Sequence, residues 1–207
     1  GKVVRTFTAD TQGLINRLAW NPAGTQLALG GTDSAVRLVN AETWSVEQTL
    51  VGHTGSIYDL AYSADGRLLA SASDDNTVKL WNAQTGQLTR PLVDHSDAVW
   101  NVTFAPAAAP QPFALASTGA DTTIKLWDTE GKLITTLSRH RALVHGLAFS
   151  PDGQSLFSAG RGNIILQWNL AAIAQLQPLE SACALVKDYL ATNTTLTPED
   201  LSLIHIS

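Results

Sequence analysis

Serine, histidine and aspartate recur together in this chain of 207 residues. His53, Ser71 and Asp75 form one set, His95, Ser117 and Asp121 another, and His140 with Ser158 begins a third. In a single copy, beside an oxyanion hole, these types would be the nucleophile, base and orienting acid of acyl transfer. Here the set is duplicated, and no G-x-S-x-G elbow accompanies it, so it reads as architecture and no enzyme is expected. His140 and His145 stand five residues apart with no carboxylate or cysteine partner, so no metal site is expected. Gly30-Gly31 lacks the strand–helix context of a phosphate loop, and no cofactor is expected. The single cysteine, Cys183, excludes an internal disulfide framework and a Cys-rich zinc site, and reads as a small buried hydrophobe.

Composition narrows the partners. Apolar residues make up 44% and charged residues 15%, enough for a core rather than a disordered chain. A net charge of −5 argues against a nucleic-acid backbone or an anionic membrane as partner. No stretch approaches the ~18–20 apolar residues that span a bilayer. GKVVRTFTAD carries no apolar signal core and no targeting character. Cytoplasmic location is the resulting expectation.

Six tryptophans against three tyrosines prompt a search for repeats. Aligned on Trp81, SASDDNTVKLWN matches STGADTTIKLWD, which ends at Asp128, and SAGRGNIILQWN, which ends at Asn169. LGGTDSAVRLVN, ending at Asn40, is a degenerate fourth copy. The markers Val39, Trp81, Trp127 and Trp168 are 42, 46 and 41 residues apart. Gly52-His53, Asp94-His95 and Arg139-His140 precede their tryptophans by 28, 32 and 28 residues from the histidine, with Ala9-Asp10 in the degenerate unit. The Ala/Pro-rich APAAAPQP lengthens the third unit and reads as a surface loop. Each unit consists of short alternating segments separated by turns such as Asp65-Gly66, Asp75-Asn76 and Thr85-Gly86. Four such segments close no core alone, so the units must stack.

These residues resemble the WD-repeat β-propeller family. The likeness covers roughly residues 1–170 and rests on GH, the S-x-D-G turn, the serine, the aspartate and the tryptophan in order. It implies an all-β fold of four-stranded blades around a channel, here about four blades in an incomplete ring with unpaired sheet edges. The units run approximately over 8–50, 51–92, 93–137 and 138–170. In such blades Trp, Ser, His and Asp form a buried hydrogen-bond chain: His53, Ser71, Asp75 and Trp81; His95, Ser117, Asp121 and Trp127. The last unit keeps His140, Ser158 and Trp168 but has Gly162 for the aspartate, which predicts a more exposed or differently partnered His140. The first keeps Asp33 but has Asp10, Leu29 and Val39 elsewhere, so it should lack the network.

Both ends read as cut. GKVVRTF matches an outer-strand segment whose preceding strand is missing. Residues 171–200 read as a helical extension, in which Leu179, Cys183, Leu185, Val186 and Leu190 suit one face of a short helix. Cys183, Lys187, Asp188, Tyr189, Leu190 and Asn193 are similar to a helical module of bacterial multidomain WD-repeat signalling proteins, with Leu185 in place of a tryptophan. Residues 201–207, LSLIHIS, resemble a translated sequencing adapter and are expected to carry no function.

The resemblance also places three positions per blade on one face of the propeller. The partner-binding set expected from them is Asn16, Tyr58, Asp74, Trp100, His145 and Arg161. Trp100 either turns to the channel rim on a bulge or is covered by the loop at Ala107–Pro112. The expected function is a non-catalytic scaffold that binds a protein or peptide, within a larger bacterial regulatory protein. Its partners would include the remaining blades and upstream domains. The alternative is a sensor or autoinhibitory propeller for an upstream NTPase or protease.

Overall fold

The computed structural model describes residues 2–3, 6–8 and 11–175, and within them the chain forms four antiparallel sheets in sequence order. Blade one comprises β1 (Ile15–Trp20), β2 (Gln26–Gly31), β3 (Ala35–Asn40) and β4 (Val46–Val51). Blade two comprises β5 (Ile57–Tyr62), β6 (Leu68–Ser73), β7 (Val78–Asn82) and β8 (Leu88–Leu92). Blade three comprises β9 (Val99–Phe104), β10 (Leu115–Gly119), β11 (Ile124–Trp127) and β12 (Leu133–Leu137). Blade four has three strands among the described residues, β13 (Val144–Phe149), β14 (Ser155–Gly160) and β15 (Ile165–Asn169), rather than the expected four. Lys2, Val3, Thr6, Phe7 and Thr8 are not in a strand, and Phe7 packs on Trp44 at 6.2 Å. A helix spans 170–175; the rest of the expected helical extension, with Cys183 and its neighbours, and residues 201–207 lie outside the described residues.

Turn chemistry sets the blade outline. The first hairpin of blades one, two and four closes on Gly24, Gly66 and Gly153, all at φ near +70°, where a side chain is strained. In blade two the Asp65 carboxylate secures this turn by accepting from Ser63 Oγ (2.6 Å) and Arg67 N (3.0 Å).

Neighbouring blades meet through their inner strands, β1 on β5, β5 on β9 and β9 on β13. The core lies between the blades: Leu60 and Ile57 of blade two press on Gly30, where a Cβ would lie 2.6 Å from Ile57 Cγ2. Ala28, Ala70 and Ala116 occupy equivalent register positions in β2, β6 and β10, and each is wholly buried against the next blade. Phe157 stands at that position in blade four and is 37% exposed; beside it Ile165 is 74% exposed. At the other end Leu18 and Trp20 of β1 are about half exposed. The arc is therefore unclosed. What it leaves open is chiefly two sheet faces, because blades stack face to face and pair their edges only within a blade.

Candidate functional site

Two complete hydrogen-bond chains cross the blades. Trp81 Nε1 donates to Ser71 Oγ (2.8 Å), Ser71 Oγ lies 2.7 Å from His53 Nε2, and His53 Nδ1 lies 2.7 Å from Asp75 Oδ2. The same order holds for Trp127, Ser117, His95 and Asp121 at 2.9, 2.8 and 2.7 Å. With the imidazole neutral, each N–H or O–H has one acceptor and the polarity runs from indole to carboxylate. The polarity matches a catalytic triad, but Ser71 and Ser117 are wholly buried and already accept from an indole. No substrate carbonyl reaches them.

In blade four Trp168 Nε1 still donates to Ser158 Oγ (2.8 Å), which lies 2.7 Å from His140 Nε2. His140 is only 6% exposed, so the expectation of a more exposed ring is corrected. Among the described side chains Ser158 alone holds it by a hydrogen bond in the aspartate's absence, Ser158 being held in turn by Trp168. In blade one Asp33 pairs instead with Arg37 (2.8 Å) on β3. Asp10 lies outside the described residues.

Burial pushes the His53 and His140 pKa values below their ordinary 6.5. Burial opposes ionisation of Asp75, yet the Thr77 hydroxyl, the Thr54 N–H and His53 outweigh it and hold the carboxyl at about 2. Asp121 is held well below the usual range, its burial being outweighed by His95 and Thr123. The signs agree: all four groups give stability at neutral pH that is lost on acidification. The histidine part is full above pH ~6.5 and declines below it, as the unfolded chain takes up protons first. The carboxylate part is full above pH ~4 and is lost as pH falls toward 2; for Asp75 this is worth about 2 kcal/mol. Urea midpoints measured from pH 8 to 2.5 should fall in these two stages, and Asp75→Asn should shrink the second. A flat profile between pH 7 and 3 contradicts the assignment.

A second constellation lies at the start of the inner strands. Each carries a register shift at the same place, between Ile15 and Arg17, Ile57 and Asp59, Val99 and Asn101, and Val144 and Gly146. The extra residues are Asn16, Tyr58, Trp100 and His145, one per blade, turned out of the pleat by the bulge. The simple alternation that would put Trp100 with Val102 therefore does not hold. Tyr58 and Trp100 stack with centroids 4.6 Å apart and planes at 6°, and His145 meets Trp100 edge-on at 5.2 Å. Tyr58 donates to Asp74 Oδ1 (3.1 Å). Trp100 is half-buried, with its indole N–H enclosed and unpartnered. The 105–114 loop joins the far end of β9 and does not cover it. Asn16 stands apart, bonded to Ile57 O (3.0 Å), and Arg161 is exposed, without a side-chain hydrogen bond or ion pair among the described residues.

One residue escaped the sequence reading. Asp59 is nearly buried on β5 and accepts from Arg17 Nε (2.7 Å) of blade one and from Asn101 Nδ2 (2.7 Å) and Val102 N (3.1 Å) of blade three. Burial pushes its carboxyl above the usual range, against the pull of Val102 N–H and Arg17. The signal was present in SIYDLAY, where a carboxylate interrupts an otherwise apolar inner strand.

The repeated blades and their Trp–Ser–His–Asp chains define a WD-repeat protein. The family model "WD domain, G-beta repeat" matches residues 44–82, 86–128 and 131–169, and the chain belongs to that family. The model "Anaphase-promoting complex subunit 4 WD40 domain" matches residues 1–55. Transducin beta-like protein 3 of Bos taurus is 33% identical over 174 residues, 84% of this chain and 16% of that protein. Nuclear distribution protein PAC1-1 of Uncinocarpus reesii is 47% identical over 68 residues, 32% and 15% of the two chains. A component of chromatin assembly factor 1 from Gallus gallus is 40% identical over 73 residues, 31% and 13%. The chain thus spans under a fifth of the length of these curated relatives. They are fungal and animal proteins and lend no support to a bacterial parent. Among the described residues no helix is long and apolar enough to cross a membrane.

Proposed function

We propose that the chain is a non-catalytic interaction scaffold that holds a protein or peptide against the row Tyr58–Trp100–His145, with Asp74 at its side. The observation that carries this reading is the set of four successive bulges, which turn one residue per blade out of the sheet and bring three rings into contact. A half-buried indole with a stacked phenol and an exposed acid beside it suits an anchor side chain of a partner. Asn16 and Arg161 would extend the contact at either end. The tetrad residues would serve the fold alone, with no cofactor or metal and no turnover. Relatives whose names place them in nuclear distribution and chromatin assembly support a role within assemblies.

The test is a partner captured by cross-linking and then measured by calorimetry. Trp100→Ala should weaken it at least tenfold, about 1.4 kcal/mol, with the melting temperature within a few degrees of wild type. Affinity within about 0.5 kcal/mol of wild type removes the site. Hydrolysis that vanishes in Ser71→Ala or Ser117→Ala at unchanged stability would overturn the non-catalytic reading.

A further inference from the structure

The opposite face of the blades carries a pocket that the aromatic row does not use. There every inner strand ends on an aromatic residue, Trp20, Tyr62, Phe104 or Phe149. Blades one, two and four then need five residues to reach their second strand, whereas blade three takes ten, 105–114. That loop is folded rather than loose. Ala105 N donates to Ala114 O (2.8 Å), Ala109 N to Pro106 O (2.9 Å) and Phe113 N to Pro110 O (3.2 Å). Ala109 and Phe113 are buried, and Pro106, Pro110 and Pro112 restrict φ along the loop.

Between this loop and the Ser63–Leu68 turn of blade two lies a pocket of about 300 Å³. Its floor is apolar and buried, formed by Leu80, Phe113 and Leu115. The volume is at the lower end for ligand sites, room for one or two side chains rather than a cofactor. Asp65 and Asp128 are the charged residues that line it, and no lysine, arginine or histidine does. Their oxygens are not equally engaged. Asp65 Oδ1 accepts from Ser63 and Arg67 N, while Oδ2 has only the exposed Arg67 guanidinium at 3.8 Å. Asp128 Oδ1 accepts from Glu130 N (2.9 Å) and Lys132 N (2.8 Å), which leaves its second oxygen available.

We propose that this pocket is a second binding site, for an apolar side chain of an extended basic peptide segment whose neighbouring lysine or arginine pairs with Asp65 or Asp128. An apolar floor alone would take any greasy group. The two carboxylates, offset only by the exposed Arg67 guanidinium 3.8 Å from Asp65, select a positive flank and disfavour an acidic one. A loop held by prolines and its own turns loses little freedom on binding. The site is independent of the aromatic row, since it lies at the other end of the inner strands.

The probes are acetyl-Lys-Leu-Leu-Arg-amide and acetyl-Glu-Leu-Leu-Glu-amide, titrated into the ¹⁵N-labelled full chain. The basic peptide should shift amides of Ala64, Asp65, Phe104, Ala105, Ala107 and Thr129, and bind at least fivefold more tightly than the acidic one. Ala107→Trp, at an exposed position on the loop beside the pocket, should abolish these shifts. Asp65→Asn with Asp128→Asn should reduce the preference to less than twofold while leaving the leucine-dependent shifts in place. Shifts elsewhere or none, equal affinity for both peptides, or wild-type binding by both variants would overturn the proposal.

Discussion

Trp127→Ala is expected to destabilise the protein by about 3–5 kcal/mol, the range for removal of a fully buried large aromatic. The indole is 1% exposed and packs in the seam between blades two and three with Ala70, Val78, Leu80 and Val99. Its loss leaves a cavity that backbones fixed by sheet pairing on both sides cannot collapse into. It also strips Ser117 Oγ of its indole donor. Two further variants separate these effects. Trp127→Phe keeps most of the volume and loses the hydrogen bond, and should cost about 1–2 kcal/mol. Ser117→Ala removes the acceptor of Trp127 and the partner of His95 together, and should cost about 1–3 kcal/mol. Urea unfolding monitored by far-ultraviolet circular dichroism measures all three. A loss below 1 kcal/mol for Trp127→Ala would mean that the seam is not packed as described.

The second large effect falls on Asp59. Asp59→Ala removes a carboxylate that joins three successive blades and leaves Val102 N and the Asn101 amide without their acceptor in a buried setting. An expected cost of about 2–3 kcal/mol follows from the unpaired groups, Arg17 being half exposed and able to return to water. The discriminating measurement is a double-mutant cycle between Asp59→Ala and Asn101→Ala. Coupling of about 1 kcal/mol is expected if the bond between blades contributes, and additivity within about 0.3 kcal/mol would show that it does not.

The blade architecture was legible in the chain because its causes are local and repeated. Turn residues such as Gly66 and Asp65, the alternation within SIYDLAY, and the period between Trp81, Trp127 and Trp168 are each set within one unit, and repetition makes weak signals additive. The buried tetrads were equally legible, since one register in each hairpin brings Ser71 opposite Lys79 and its neighbours, and so Trp81 within reach of Ser71. Other features depended on contacts between units, which no single period records. A one-residue bulge turns Trp100 out of the pleat and onto Tyr58 of the preceding blade, where alternation alone would have put it beside Val102. His140 stays buried without a carboxylate because its serine and the surrounding packing suffice. Asp59 is a charge in an apolar strand until Arg17 and Asn101 arrive from either side. Residue types and spacing fixed what each blade is; the stacking of one blade on the next decided which side chains meet. The physical reason is that hydrogen-bond register within a sheet is a short-range property of the chain, whereas the surface at the bulges is formed only by residues more than forty positions apart.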